Sequence, residues 1–111
     1  MRPYKMKFGE KVWELLREIP EGKVSTYKMI AEKMGCNAYR AVGNACRRNP
    51  NPPIIPCHRV VNSDGRIGGF GGETSGAKIE KKITLLKKEG IGVRNGKIVN
   101  FDQVLYKFKP R

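Results

Sequence analysis

Phe8, Val12, Leu15, Leu16 and Ile19 recur at helical spacing, while Glu10, Lys11, Glu14, Arg17 and Glu18 fill the other face. The pattern predicts an amphipathic helix of about three turns, stopped by Pro20 and Gly22. Trp13 lies beside the apolar stripe and is assigned to the core. A second helix begins at Lys23-Val24-Ser25-Thr26, with Ser25 or Thr26 as its N-cap and Tyr27, Ile30, Ala31 and Met34 as its apolar positions. Gly35 ends it in the C′ position. Asn37 is the expected cap of a third helix running to about Arg48. Two helices joined by a tight glycine turn predict a helix-turn-helix.

The third helix divides into two faces. Ala41, Val42, Ala45 and Cys46 should pack inward, and Arg40, Asn44, Arg47 and Arg48 recur at helical spacing outside. Gly43 and the alanines keep the helix slim, which suits close approach of another molecule. Asn49-Pro50-Asn51-Pro52-Pro53 ends it with a turn-rich crossing. Ile54, Ile55, Val60 and Val61 then carry buried-strand character around Cys57. Asn62-Ser63-Asp64-Gly65 reads as a turn, and Gly68-Gly69-Phe70-Gly71-Gly72 is almost bare of side chains. That run matches neither GxxxxGK[ST] nor a strand-bound GxGxxG, which excludes a nucleotide-binding loop. A fourth helix, about Ala77 to Lys88, shows Ile79, Ile83 and Leu86 inside, lysines outside, and Gly90 at its end. Val93 to Val99 contains Asn95-Gly96, the signal of a type I′ hairpin. Residues 102–111 should supply a short apolar cap over the core and a basic end. The expected class is α/β, mainly helical: a winged helix-turn-helix-like DNA-binding domain with a small β-hairpin, one domain over residues 1–111.

Composition adds charge. Lys plus Arg number 23 against 10 acids, a formal +13 on 111 residues. Such an excess favours a polyanionic partner, nucleic acid before an anionic membrane surface. No apolar run approaches the roughly 20 residues of a membrane span, and no signal peptide opens the chain, so a cytoplasmic location is expected. Cys36, Cys46 and Cys57 are spaced neither as a disulfide framework nor as a zinc site. With one histidine in the chain, no metal is expected.

The chemistry concentrates in Ile55-Pro56-Cys57-His58-Arg59-Val60-Val61. Pro56 stiffens the backbone that presents Cys57. His58 stands beside the thiol as a base, and Arg59 adds a charge that favours a thiolate. These residues alone are equally compatible with a small buried thiol and a solvated imidazole.

Pro56-Cys57-His58-Arg59-Val60, preceded by Arg40-Ala41-Val42-Gly43-Asn44-Ala45 and Asn49-Pro50, resembles the catalytic DNA-binding domain of O6-alkylguanine–DNA alkyltransferases, the methylated-DNA–protein-cysteine methyltransferases. The resemblance runs from about Phe8 to Gly90. It implies a single-turnover repair protein, a suicide methyltransferase without cofactor, acting as a monomer on double-stranded DNA that contains O6-alkylguanine. Cys57 would take the alkyl group, His58 would take the thiol proton through a water, and Glu89 would orient the imidazole. Asn49 would brace the turn before the active segment. Tyr27 would help rotate the nucleotide out and protonate the departing guanine. Arg40 would fill the space left by the flipped base, since an alkyl group inside the stack is out of a thiol's reach. Ala41, Gly43, Asn44, Arg47 and Arg48 would line the DNA. Val60, Cys46, Pro52, Phe70, Gly71 and Gly72 would form the base pocket.

The chain departs from the family pattern in four ways. Phe70 stands where tyrosine is common, Gly71 where serine is frequent, and Cys46 where an apolar side chain usually meets the flipped base. The amino-terminal domain that many members carry is expected to be absent. Two rivals share the fold: an alkyltransferase-like protein that binds the lesion without repairing it, and a winged-helix regulator. Members of the first group replace the cysteine, often by tryptophan. The second gives no reason for His58 beside Cys57, for Glu89, or for the glycine run.

Overall fold

Helix α1 (Phe8–Glu18) buries Val12 and Leu16, and the Lys7 amide donates to Glu10 Oε1 at 2.8 Å to close its first turn. In the computed structural model, which describes residues 7–70 and 75–109, the chain leaves α1 through extended Ile19 into Pro20. Trp13 packs against the core and its indole donates to the Ala45 carbonyl at 2.8 Å, which fixes α1 against α3.

Ser25 and Thr26 form a two-residue strand, β1, that the hydropathy pattern does not announce. Thr26 also caps α2 (Tyr27–Lys33), its hydroxyl accepting from the Met29 amide at 3.0 Å. A left-handed Gly35, with the Gly35 amide on the Glu32 carbonyl and the Cys36 amide on the Ala31 carbonyl, closes α2 as a Schellman motif. Helix α3 spans Tyr39–Arg47. Asn37 does not cap it: Ala38 holds the cap position without a side-chain bond. The Schellman closure occupies the chain through Cys36, which leaves Asn37 within the connection, where its carbonyl accepts from the Tyr39 amide.

The segment after α3 corrects a second expectation. Ile54 is 69% exposed and, like Ile55, lies in turns, not in a strand. The Ile55 amide bonds back to the Asn51 carbonyl, so the proline-rich run coils and sends only Ile55 inward. Cys57–Arg59 forms one 3-10 turn, and Val60–Val61 forms β2, parallel to β1 with Ser25 opposite Val60.

Two core clusters meet on β2. Val60 joins Val12, Leu16, Ile30, Val42 and Ile55 on one side; Val61 joins Val24, Ile67, Leu86, Ile91 and Ile98 on the other. Successive strand residues point to opposite faces, so this short strand is gripped from both sides. The cysteine turn that precedes it is positioned by the whole core.

Helix α4 (Ala77–Lys88) ends at a left-handed Gly90. Strands β3 (Val93–Arg94) and β4 (Lys97–Ile98) pair antiparallel through Asn95 and Gly96, both at positive φ, as a type I′ turn requires. A short helix α5 (Phe101–Val104) follows. Val24 exchanges backbone bonds with Val104 and Tyr106, and Tyr106 and Phe108 then lie over the first cluster, the expected apolar cap. The fold is mainly helical: helix-turn-helix α2–α3 with the β3–β4 hairpin as its wing. Gly71 and Gly72 lie outside the described residues.

Candidate active site and nucleic-acid face

Cys57 is held by the turn before it. The Asn49 side-chain amide donates to the Ile55 carbonyl at 2.6 Å, and its oxygen accepts from the Asn51 amide at 2.8 Å. The Cys57 amide bonds to the same Ile55 carbonyl at 2.8 Å. One asparagine therefore fixes both ends of the proline-rich coil and the residue that enters the cysteine turn. Cys57 itself is 7% exposed. Burial raises its pKa, and a hydrogen bond from Asn49 and the charge of Lys82 pull partly the other way.

His58 is 2% exposed, and its Nε2 lies 2.7 Å from Glu89 Oε2. Glu89 also accepts from Arg59 Nε at 2.9 Å, from Arg59 Nη2 at 2.9 Å and from the Gly22 amide at 3.3 Å. Partial burial works to raise its carboxyl, but the bonds from Arg59, His58 and Gly22 together outweigh it and hold the pKa below the usual carboxylate value. An ionised carboxylate can only accept, so Nε2 carries the hydrogen of this pair. Burial lowers the His58 pKa, with Glu89 opposing. The neutral ring then presents the lone pair of Nδ1, which is buried and has no hydrogen-bond partner among the described residues. An unpaired basic nitrogen is what a general base must keep free, and it serves a thiol that lies within hydrogen-bond reach or one water away.

Arg59 does not do what its position two residues after Cys57 leads one to expect. Its guanidinium faces Glu89, and Nη1 donates to the Ile19 carbonyl at 2.7 Å. The cation that acts on the thiol is Lys82, which the hydropathy pattern places among the outer lysines of α4. It is fully buried, and Nζ donates to the carbonyls of Val60 at 2.8 Å, Ile67, and Gly69 at 3.1 Å. Burial lowers its pKa to about 8, with Cys46 and Cys57 opposing. A signal for this existed: Ile79, Lys82, Ile83 and Leu86 sit at i, i+3, i+4 and i+7, so Lys82 lies on the apolar stripe.

The outer face of α3 presents Arg40, Asn44, Arg47 and Arg48, all exposed, around half-buried Ala41 and Gly43. A Cβ on Gly43 would meet nothing within 4 Å, so the glycine leaves open space outside the helix. A cavity of about 340 Å³ lies against this face, lined by Tyr27, Arg40, Gly43, Asn62, Ser63 and Gly69 among others. Tyr27 joins this cavity to the thiols: it packs on the first core cluster, and burial, then Cys46 and Cys57, push its hydroxyl above the usual pKa. Burial, followed by Cys57, raises the Cys46 thiol to about 12. Of the residues expected around a flipped base, Val60 and Cys46 are buried, Phe70 packs half-buried on the first cluster, and Pro52 is exposed.

Residues 7–91 match the family described as 6-O-methylguanine DNA methyltransferase, DNA binding domain. A methylated-DNA–protein-cysteine methyltransferase of Methanosarcina barkeri is 46% identical over 85 residues, covering 76% of this chain and 52% of the relative. The chain thus spans about half the length of the curated relatives it matches. Among solved structures, Mycobacterium tuberculosis OGT in complex with DNA aligns with a TM-score of 0.68 at 39% identity, over 78% of this chain and 51% of that one. S. pombe Atl1, in complex with damaged DNA containing O6-carboxymethylguanine, aligns with a TM-score of 0.78 at 32% identity, over 94% of this chain and 99% of Atl1. With 85 of its 111 residues under that family model, the chain belongs to the 6-O-methylguanine DNA methyltransferase family through its DNA-binding domain.

Proposed function

We propose that this chain repairs O6-alkylguanine in duplex DNA by moving the alkyl group irreversibly onto Cys57, once per molecule and without a cofactor. The observation that carries the reading is the buried series Cys57, His58 and Glu89, in which the carboxylate fixes Nε2–H and leaves Nδ1 as the base. Burial keeps the Cys57 thiol protonated, so a base is required. His58 takes the thiol proton through one water. The sulfur pair then forms the S–C bond as the C–O6 bond breaks, and guanine leaves with a proton delivered from Tyr27 or solvent. Asn49 and Lys82 hold the backbone around the thiol. Val60, Cys46, Pro52, Phe70, Gly71 and Gly72 surround the extruded base, and residues 1–111 act as one monomeric unit.

Extrusion falls to α3. Ala41, Gly43, Asn44, Arg47 and Arg48 face the duplex, and Arg40 fills the gap that the base leaves. In support, Arg40 is exposed and lines the 340 Å³ cavity together with Tyr27. Arg40→Ala is expected to slow transfer from duplex DNA on the order of tenfold or more, because unstacking a nucleotide costs a few kcal/mol. Reaction with a free O6-substituted guanine should change far less. Equal losses in the two assays, measured side by side, would remove Arg40 from base flipping.

A second reading has its own support: Atl1 is matched over 99% of its length, and an alkyltransferase-like protein of that kind would bind the lesion without repairing it. Intact-protein mass spectrometry after incubation with a duplex carrying one O6-methylguanine separates the two. The expected result is the gain of one methylene, located on the peptide that contains Cys57. An unchanged mass with selective retention of the damaged duplex would establish the lesion-binding reading instead.

A further inference from the structure

Cations gather at a second place, on segments other than α3. Lys97 pairs with Arg94 across the β3–β4 hairpin and, on its other side, with Arg66 through an antiparallel bridge. Directly opposed strand residues project to the same face. Arg66, Lys97 and Arg94 therefore stand in one line across a three-segment ribbon, and all three are exposed. Their neighbours confirm the facing: Ile67 and Ile98 are buried in the second core cluster, with Val93 packed against it. The Ile67 amide bonds to the Gly96 carbonyl and the Ile98 amide to the Gly65 carbonyl, both at 2.9 Å, which makes Arg66–Lys97 a non-hydrogen-bonded pair, the closer kind.

Like charges directly opposite one another in a sheet destabilise it. Asp64 Oδ2 lies 3.6 Å from Arg66 Nε, and both side chains are more than half exposed, so this pair compensates little. A row kept at that cost calls for an anion from outside.

The row is also continuous with the α3 face. Asn62 and Ser63 line the cavity beside Arg40, and the Asn62 amide bonds to the Arg66 carbonyl at 2.8 Å. One tight turn thus links two residues of the cavity wall to the first cation of the row. Strands lie about 4.8 Å apart, giving a row about 10 Å wide. Against a backbone with one charge per about 3.4 Å of axis on each strand, that width engages more than one phosphate.

We propose that Arg66, Lys97 and Arg94 form a second phosphate-binding row that holds the duplex backbone beside α3, an inference that rests on the duplex-binding reading above. Three donors without an acceptor position the backbone and read no base. The row fixes how the duplex lies on the protein, and α3 acts on the nucleotide so presented.

The test is the salt dependence of binding to an undamaged duplex between about 50 and 200 mM salt. Arg94→Gln/Lys97→Gln should lower the slope of log K against log salt by about two and weaken binding about tenfold or more, at roughly 0.9 per lost phosphate contact. Arg66→Gln, outside the hairpin, should lower the slope by about one. Lys11→Gln/Arg17→Gln, on the outer face of α1, removes the same net charge and should leave the slope near that of the wild type. The melting temperature of the hairpin variant should not fall, since a like-charge pair is relieved. An unchanged slope in both row variants, or an equal drop in the α1 control, would overturn the row. A wild-type protein without salt-dependent duplex binding would instead overturn the underlying reading.

Discussion

Cys57→Ala should acquire no alkyl group from a damaged duplex and yet retain the duplex. The loss is complete because the other two thiols are poor substitutes. Cys46 is held near a pKa of about 12 by burial, and Cys36, half-buried, lies beyond the end of α2. Neither shares the Asn49 brace or follows Pro56 into a turn. Folding should survive: alanine replaces a small side chain, so the stability cost is about 1 kcal/mol, the usual scale for a single substitution. Affinity for the duplex should stay within about twofold, because the exposed residues of α3 do not include Cys57 and phosphate contacts dominate binding. The two measurements are intact mass after exposure to the lesion and retention of a labelled duplex. A mass gain in the alanine variant would place the acceptor elsewhere. Loss of duplex retention would show that the cysteine turn shapes the binding face.

The positions of α1 to α4 were legible because their apolar positions recur at helical spacing, whereas α5, a single turn at Phe101–Val104, is too short to show a stripe. Gly35 and Gly90 both adopt left-handed φ at helix ends. Asn95-Gly96 was equally plain. Three features were hidden. Strand β1 is two buried polar residues, Ser25 and Thr26, whose place is set by pairing with Val60 and Val61 across 35 positions; no local pattern encodes such a partner. Ile54 is apolar and exposed because a proline-rich coil, not hydropathy, sets its direction. Arg59 lies two residues from the thiol in sequence, yet its guanidinium belongs to Glu89. Adjacency along a chain does not fix direction: on a tight turn successive side chains diverge. The site itself was read from the family resemblance of the PCHRV segment. What the structure adds is the state of the groups: an ionised Glu89, a neutral His58 with Nδ1 unpaired, and a buried Lys82 whose charge lowers the thiol.

That cation gives the remaining large effect. Lys82→Met should both destabilise the protein and slow the thiol. Methionine fills the same channel but donates nothing, so the carbonyls of Val60, Ile67 and Gly69 lose their partner. Each stranded carbonyl costs about 1–3 kcal/mol, part of which is returned because no charge is buried, leaving a net loss on the order of 3 kcal/mol. Linkage gives a second signature. The folded pKa of Lys82, about 8, lies below its ordinary 10.5. Between those values the unfolded chain holds more protons than the folded one, so the wild type gains stability relative to the variant as pH rises from about 8 to about 10.5. The thiols that Lys82 lowers add to that difference with the same sign: without the cation they hold their protons to higher pH in the folded variant. The kinetic signature follows from charge. Lys82 works against the burial that raises the Cys57 thiol, so its removal moves the rise of the transfer rate to higher pH, with about a tenfold loss at neutral pH for each unit moved. Single-turnover rates across pH, beside thermal melts, check both. A rate lowered equally at every pH would make Lys82 a strut for three carbonyls and nothing more; a displaced profile makes it the group that tunes the nucleophile.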